Sequence, residues 1–267
     1  MNTASTKSLP KDQESAPEND KVMSLWEHVD ELRIRLVRSL AALLICFIGT
    51  LAFAEHAIRF LKAPLAAAMP NAESVLHFIG PMDVFVVYIK VAFLGGILFA
   101  SPIWIYQFWR FFEPALYQHE KKYILPFTIA SFSLFLFGVV FCYSFILPLA
   151  LEYLVNLGGE EVKAMIGISE YFSVVLLMIL GFGLVFEAPL ILVLLAFLDL
   201  ISSEMLTKNR RFIIIIILVV SAIFTPPDPI SQIGMAIPIY FMFEVALVII
   251  KMIEKKRASS EKRAFNE

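Results

Sequence analysis

Six apolar runs, separated by short polar stretches, set the pattern of this chain. They fall at about 36–54, 82–105, 123–147, 171–200, 212–224 and 230–250. A spanning helix needs roughly 18–20 mostly apolar residues. The pattern therefore predicts an all-α membrane protein with six transmembrane helices. The runs are unequal. The third closes at Pro148. The fourth is too long for a straight span, because about thirty residues of helix reach ~45 Å against a hydrocarbon core of ~30 Å. Pro189 supplies the expected kink, and Glu187 stands two residues before it. The fifth run has about thirteen residues and reaches only ~20 Å. The sixth is interrupted by Pro238 and is also expected to be short.

The polar stretches carry their own signals. Leu25, His28, Val29, Leu32 and Leu36 recur at three-and-four spacing, so 21–38 reads as an amphipathic helix running into the first span. Ser24 with Glu27 makes a capping box at its start. Residues 1–20 are polar, rich in Ser, Pro, Asp and Glu, and lack the apolar core of a signal peptide. They are expected to be a disordered tail. The stretch 55–81 is long enough for short helices lying along a membrane face. The expected organisation is a tail over 1–20, a six-helix membrane domain over 21–250, and a basic tail over 251–267.

Composition and charge fix the class and the orientation. The 267 residues are 59% hydrophobic and 17% charged, which excludes an ordinary soluble domain. Of the 22 Lys and Arg, all but four lie on the side of the two termini. The exceptions are Arg59, Lys62 and Lys163 on the opposite side, and Lys90 within the second run. The positive-inside rule then puts both termini in the cytoplasm. Cys46 and Cys142 lie within apolar runs and read as small buried hydrophobes, not as a disulfide or metal pair.

Few residues offer chemistry. His119-Glu120-Lys121-Lys122-Tyr123 begins like a zinc-protease motif but lacks the second histidine. No Gly-rich phosphate loop or nucleophile elbow occurs, so no cofactor, metal or catalytic group is expected. Glu187 is the most costly residue, since a carboxylate inside a span faces a protein interior or a watery cavity. It reads as a proton relay or a polar site for a partner, against the plainer reading of an acid near enough to the interface to hydrate. Lys90 and Glu244 are weaker cases, Lys90 pointing inward or snorkelling and Glu244 snorkelling to headgroups. The loop over 108–122 sets Phe108, Trp109, Phe111 and Phe112 beside Glu113 and Glu120. Such a surface suits a cationic peptide. An aromatic belt with positive-inside lysines explains it equally well. On these residues alone a peptide receptor and a proton-coupled transporter stand level, although no internal repeat supports the transporter.

Several motifs, in order, break the tie. His28-x-x-Glu31-Leu32-Arg33-x-Arg35-Leu36 opens the series. Ser101-Pro102, Tyr106-Gln107-x-Trp109-x-Phe111 and Pro114-Ala115-Leu116-Tyr117-x-x-Glu120 follow, then Phe186-Glu187-x-Pro189. Thr225-Pro226-Pro227-Asp228, Ser231-Gln232 and Ile237-Pro238 close it. Over about 24–250 the chain resembles the TatC family, the receptor subunit of the twin-arginine protein translocase. It departs in its long polar N-terminal extension and in Glu113, where the family often has a small residue. The resemblance implies a non-enzymatic protein of the bacterial inner membrane that binds the twin-arginine signal peptides of folded cargo. It implies that Glu31, Arg33, Phe111 and Glu120 serve signal recognition, and that Glu187 and Gln107 are intramembrane polar residues. It also implies docking of single-span TatA- and TatB-type partners near Thr225 and Gln232, and a homo-oligomeric receptor complex. Arg33 is expected to orient Glu31, since it cannot contact the arginines of a signal favourably.

Overall fold

The computed structural model describes residues 25–69, 76–77, 79–113, 122, 124–157 and 166–266. Its helices are α1 (Leu25–Ala52), α2 (Ala54–Ala68), α3 (Asp83–Phe111), α4 (Ile124–Phe141), α5 (Leu147–Asn156), α6 (Ile168–Val185), α7 (Ala188–Phe197), α8 (Ser203–Lys208), α9 (Arg210–Phe224) and α10 (Pro229–Asn266). Among the described residues, five stretches are long and apolar enough to cross a membrane: Val29–Ala52, Asp83–Phe111, Ile124–Asn156, Ile168–Phe197 and Pro229–Arg257. The fifth apolar run in chain order becomes α9, whose 15 residues reach only ~22 Å.

The fourth run breaks where its proline dictates. Pro189 is the second residue of α7 and has no N–H to return to the carbonyl of Val185, so α6 stops there. The chain turns through Phe186 and Glu187, and Glu187 O takes up the N–H groups of Leu190 and Ile191 at 3.0 and 3.1 Å. Glu187 thereby sits on the corner.

Two expected ends are corrected. Pro148 does not close the third span. A π-type turn over Cys142–Ile146 precedes it, and the proline falls in the first turn of α5, where its missing N–H costs little. The helix runs on to Asn156. The sixth span is not short either. α10 passes through Pro238 and is 38 residues long in all. One missing hydrogen bond does not end a helix packed on its neighbours, and the Lys, Glu and Ala that follow the apolar part are good helix formers. The basic segment after 250 continues this helix to Asn266.

α6 is the central element, packed on α3, α4 and α9. It carries Phe172, Met178 and Phe182, all fully buried, and Phe186 follows at the break. α1 lies outside this core. It packs on α3 and leaves Ile34, Val37, Leu44, Ile45 and Ile48 exposed. Gly96 allows that contact, since a Cβ there would stand 3.0 Å from the Cα of Phe47. The Thr50 hydroxyl, which also reaches Cys46 O within α1, lies 3.2 Å from Ala92 O across the contact.

The tip of α9 is seated in the same way. A Cβ on Gly181 would fall 2.3 Å from Cδ1 of Phe224 and 2.7 Å from its Cβ. Gly181→Val is therefore expected to displace the end of α9 and to cost about 1–3 kcal/mol, the usual range for overpacking. The measurement is the unfolding midpoint in detergent. An unchanged midpoint would mean that the contact has slack.

Candidate binding sites

The first site forms where α1 crosses the end of α3. Glu31 and Arg35 are four apart on one face of α1, so their side chains meet. Arg35 Nε donates to Glu31 Oε1 at 3.1 Å, and a second guanidinium nitrogen reaches the same oxygen. A third, Nη1, reaches Gln107 Oε1 of α3 at 3.5 Å. Both members of the pair are largely buried, with side-chain exposures of 11% for Arg35 and 19% for Glu31. The other carboxylate oxygen, Glu31 Oε2, is buried and has no hydrogen-bond partner among the described residues. Arg33, two residues from Glu31, lies on the exposed opposite side. The cation that meets Glu31 is Arg35, not Arg33. Gln107 joins this cluster through Arg35.

α3 then ends in aromatic rings. Phe108 stands 5.8 Å from Trp109 and 5.2 Å from Phe112, and Phe111 stands 5.3 Å from Phe112. Trp109, 3% exposed, packs on Phe127 of α4 at 5.0 Å. This ties the end of α3 to the bundle and fixes the half-buried Phe111 beside it. Arg110 spends its charge locally, bonding Tyr106 Oη at 2.7 Å and lying 3.4 Å from Glu113. Glu113 is therefore paired within its own turn. Glu120 lies outside the described residues, as do Ser24 and its capping box.

Glu187 belongs to a different corner, formed by α4, α6 and α7. It is 8% exposed and accepts a hydrogen bond on Oε2 from Ser131 Oγ of α4. Its Oε1 is buried without a partner among the described residues. Thr225 and Gln232 form a third group at the α9–α10 turn. Thr225, 6% exposed, donates to Ser221 O at 2.8 Å, and Gln232 donates to Leu218 O at 3.1 Å. Asp228 caps α10 by accepting from Ser231 N at 2.6 Å. Both expected docking side chains thus hydrogen-bond within their own hairpin. Glu244 does not reach for headgroups: Arg210 binds it at 3.0 Å and Tyr240 Oη donates to it at 2.9 Å. The sequence assigns no role to Arg35, Ser131 or Arg210. Only Arg35 had a local signal, its spacing of four from Glu31.

These features define a multi-pass helical membrane protein. The family model described as "Sec-independent protein translocase protein (TatC)" matches residues 27–238, and the chain belongs to that family. It is 38% identical over 238 residues to the TatC of Desulforapulum autotrophicum, covering 89% of this chain and 88% of that one. It is 36% identical to the TatC of Aquifex aeolicus, covering 90% and 100%, and 33% identical to that of Escherichia coli, covering 89% and 92%. The solved structure titled "Crystal Structure of Twin Arginine Translocase Receptor- TatC" superposes with a TM-score of 0.73 at 37% identity, covering 85% of this chain and 99% of that one. The protein is a component of the twin-arginine translocase, a transport protein rather than an enzyme.

Proposed function

We propose that this chain is the receptor that reads the twin-arginine signal at the cytoplasmic face of a bacterial inner membrane. The observation that carries this reading is the bare Oε2 of Glu31. Arg35 holds the other oxygen and so aims the carboxylate. With Oε1 taken by two nitrogens of Arg35, a signal guanidinium meets Oε2 in the same way, two neighbouring nitrogens on one oxygen, a geometry that the diverging N–H bonds of an ammonium do not reproduce. Glu120 supplies the second acid, Phe111 takes the apolar part of the signal, and Arg33 keeps neighbouring groups in register.

In this reading α9 is a sixth, short crossing, so the chain spans six times with both ends cytoplasmic. The bilayer mismatch it leaves makes α9 and the turn at Thr225 and Gln232 the edge for single-span TatA- and TatB-type helices. Several copies share one receptor complex, and no cofactor takes part. The test is binding of a twin-arginine signal peptide and its twin-lysine version to the purified protein at one fixed salt concentration. At least a tenfold preference for arginine is expected. Equal affinities would overturn the reading.

A further inference from the structure

A groove of about 420 Å³ opens on the surface between α3, α6 and the tip of α9. It exists because α9 is short. Phe224, the last residue of α9, stops against Gly181 and leaves the preceding turns of α6 without α9 beside them. The groove wall is apolar, built from Leu177, Leu180 and Leu184 of α6 with Phe224 at one end. Leu177 and Leu184 are about half exposed, at 47% and 49%, so the groove opens at the surface of the chain.

Its one charged lining residue is Lys90 of α3. The ammonium donates to Ser169 O at 3.2 Å, Ser169 Oγ at 3.0 Å and Ser173 Oγ at 2.7 Å. All three acceptors are neutral. No carboxylate comes within ion-pair distance of it among the described residues. Asp83, two turns back on α3, already accepts from Ile79 N at 2.8 Å and Gly80 N at 2.7 Å. The three serine oxygens satisfy the donors of Lys90, and Asp83 acts on its charge only from beyond ion-pair distance; a cation within a span pairs with an opposite charge where one is offered. Ser173 donates its own proton to Ser169 O at 2.6 Å. The Ser169 hydroxyl, which accepts from Lys90, keeps its proton for an anion beside the ammonium.

Depth and shape narrow the occupant. Lys90 lies seven residues into α3, ~10 Å from the helix start, near the boundary between headgroups and acyl chains. From Ser173 to Leu184 the groove follows α6 for ~16 Å. A helix about 10–12 Å across would fill that length with more than ~1,000 Å³, so it would ride on the rim and not enter. We propose that the groove holds one anionic phospholipid. Its phosphate meets Lys90 and Ser169, and one acyl chain lies along α6 down to Phe224. The lipid then completes the surface that the short α9 leaves open.

The test uses the full chain solubilised in dodecyl maltoside, loaded with phosphatidylglycerol, washed with detergent, and assayed for retained lipid by mass spectrometry. Wild type is expected to keep about one phosphatidylglycerol per chain and to prefer it over phosphatidylcholine. Lys90→Gln is expected to keep at least five-fold less, and Lys90→Arg close to the wild-type amount. Leu180→Trp, which fills the groove and leaves the cation, is expected to lose the lipid as Lys90→Gln does, and it decides the matter if that variant fails to fold. Equal retention by wild type and the two disruptive variants overturns the proposal. So does a photo-crosslinker at Leu177 that traps a small single-span protein in the membrane and no lipid.

Discussion

Replacing Glu187 by leucine is expected to abolish export while leaving the protein folded and inserted. The two effects separate because the residue is buried at a helix break. Its carboxylate's only hydrogen bond among the described residues comes from Ser131, and Oε1 has no partner. A buried polar atom without a partner carries an uncompensated desolvation cost, and leucine removes the unpaired Oε1 of Glu187 at similar volume. Ser131 can turn its hydroxyl to the carbonyl one helical turn back, as Thr128 does with Ile124 O at 2.9 Å. The unfolding midpoint of Glu187→Leu should therefore equal or exceed that of wild type. Transport of a folded twin-arginine cargo should fall by at least tenfold. Glu187→Gln is expected to keep most of the activity, since the amide retains an oxygen for Ser131 and a donor in the place of Oε1. The assay is cargo export in cells whose membranes contain equal amounts of each variant. Wild-type export by the leucine variant would reduce Glu187 to a packing residue.

The uneven legibility of this chain has a physical cause. The length of a membrane crossing is written in one uninterrupted run, so the apolar runs and the shortness of α9 could be read directly. The break at 186–187 was legible because Pro189 acts on residues four positions away. The ends of α5 and α10 were not. Pro148 and Pro238 look like stops, but one falls in the first turn of a helix after a π-type turn and the other costs a single bond within a packed helix. The polar pairs divide in the same way. Glu31 with Arg35 has helical spacing and needs no tertiary knowledge. Ser131 with Glu187, Arg210 with Glu244 and Arg35 with Gln107 join residues 56, 34 and 72 positions apart. No local pattern announces such pairs. Lys90 is the instructive case: its position in a span was plain, and the serines that receive it lie on another helix, 79 and 83 residues on.

Under the proposed function, removing either Glu31 or Glu120 is expected to loosen the hold on the arginine signal. Glu31 offers one bare, buried carboxylate oxygen, and Arg35 keeps that oxygen from turning away. A hydrogen bond to a charged group contributes roughly 1.5–3 kcal/mol. At ~1.4 kcal/mol per tenfold, Glu31→Ala is expected to weaken twin-arginine peptide binding about ten- to hundred-fold. Glu120→Ala should do the same, and Glu120→Asp should lose less because the charge stays and only the reach shortens. The double variant tells how the two acids divide the work. If each takes its own arginine, the losses add; if both grip one, the second removal costs little. The twin-lysine peptide provides the reference, since an ammonium gains little from the forked geometry. Its affinity should change far less, so the arginine preference should collapse in the variants. Measured at one fixed salt concentration, to hold screening constant, an undiminished preference in both single variants would mean that neither acid reads the signal. Loss of the preference in Glu120→Ala alone would assign the reading to the loop and leave Glu31 with Arg35 as a brace between α1 and α3.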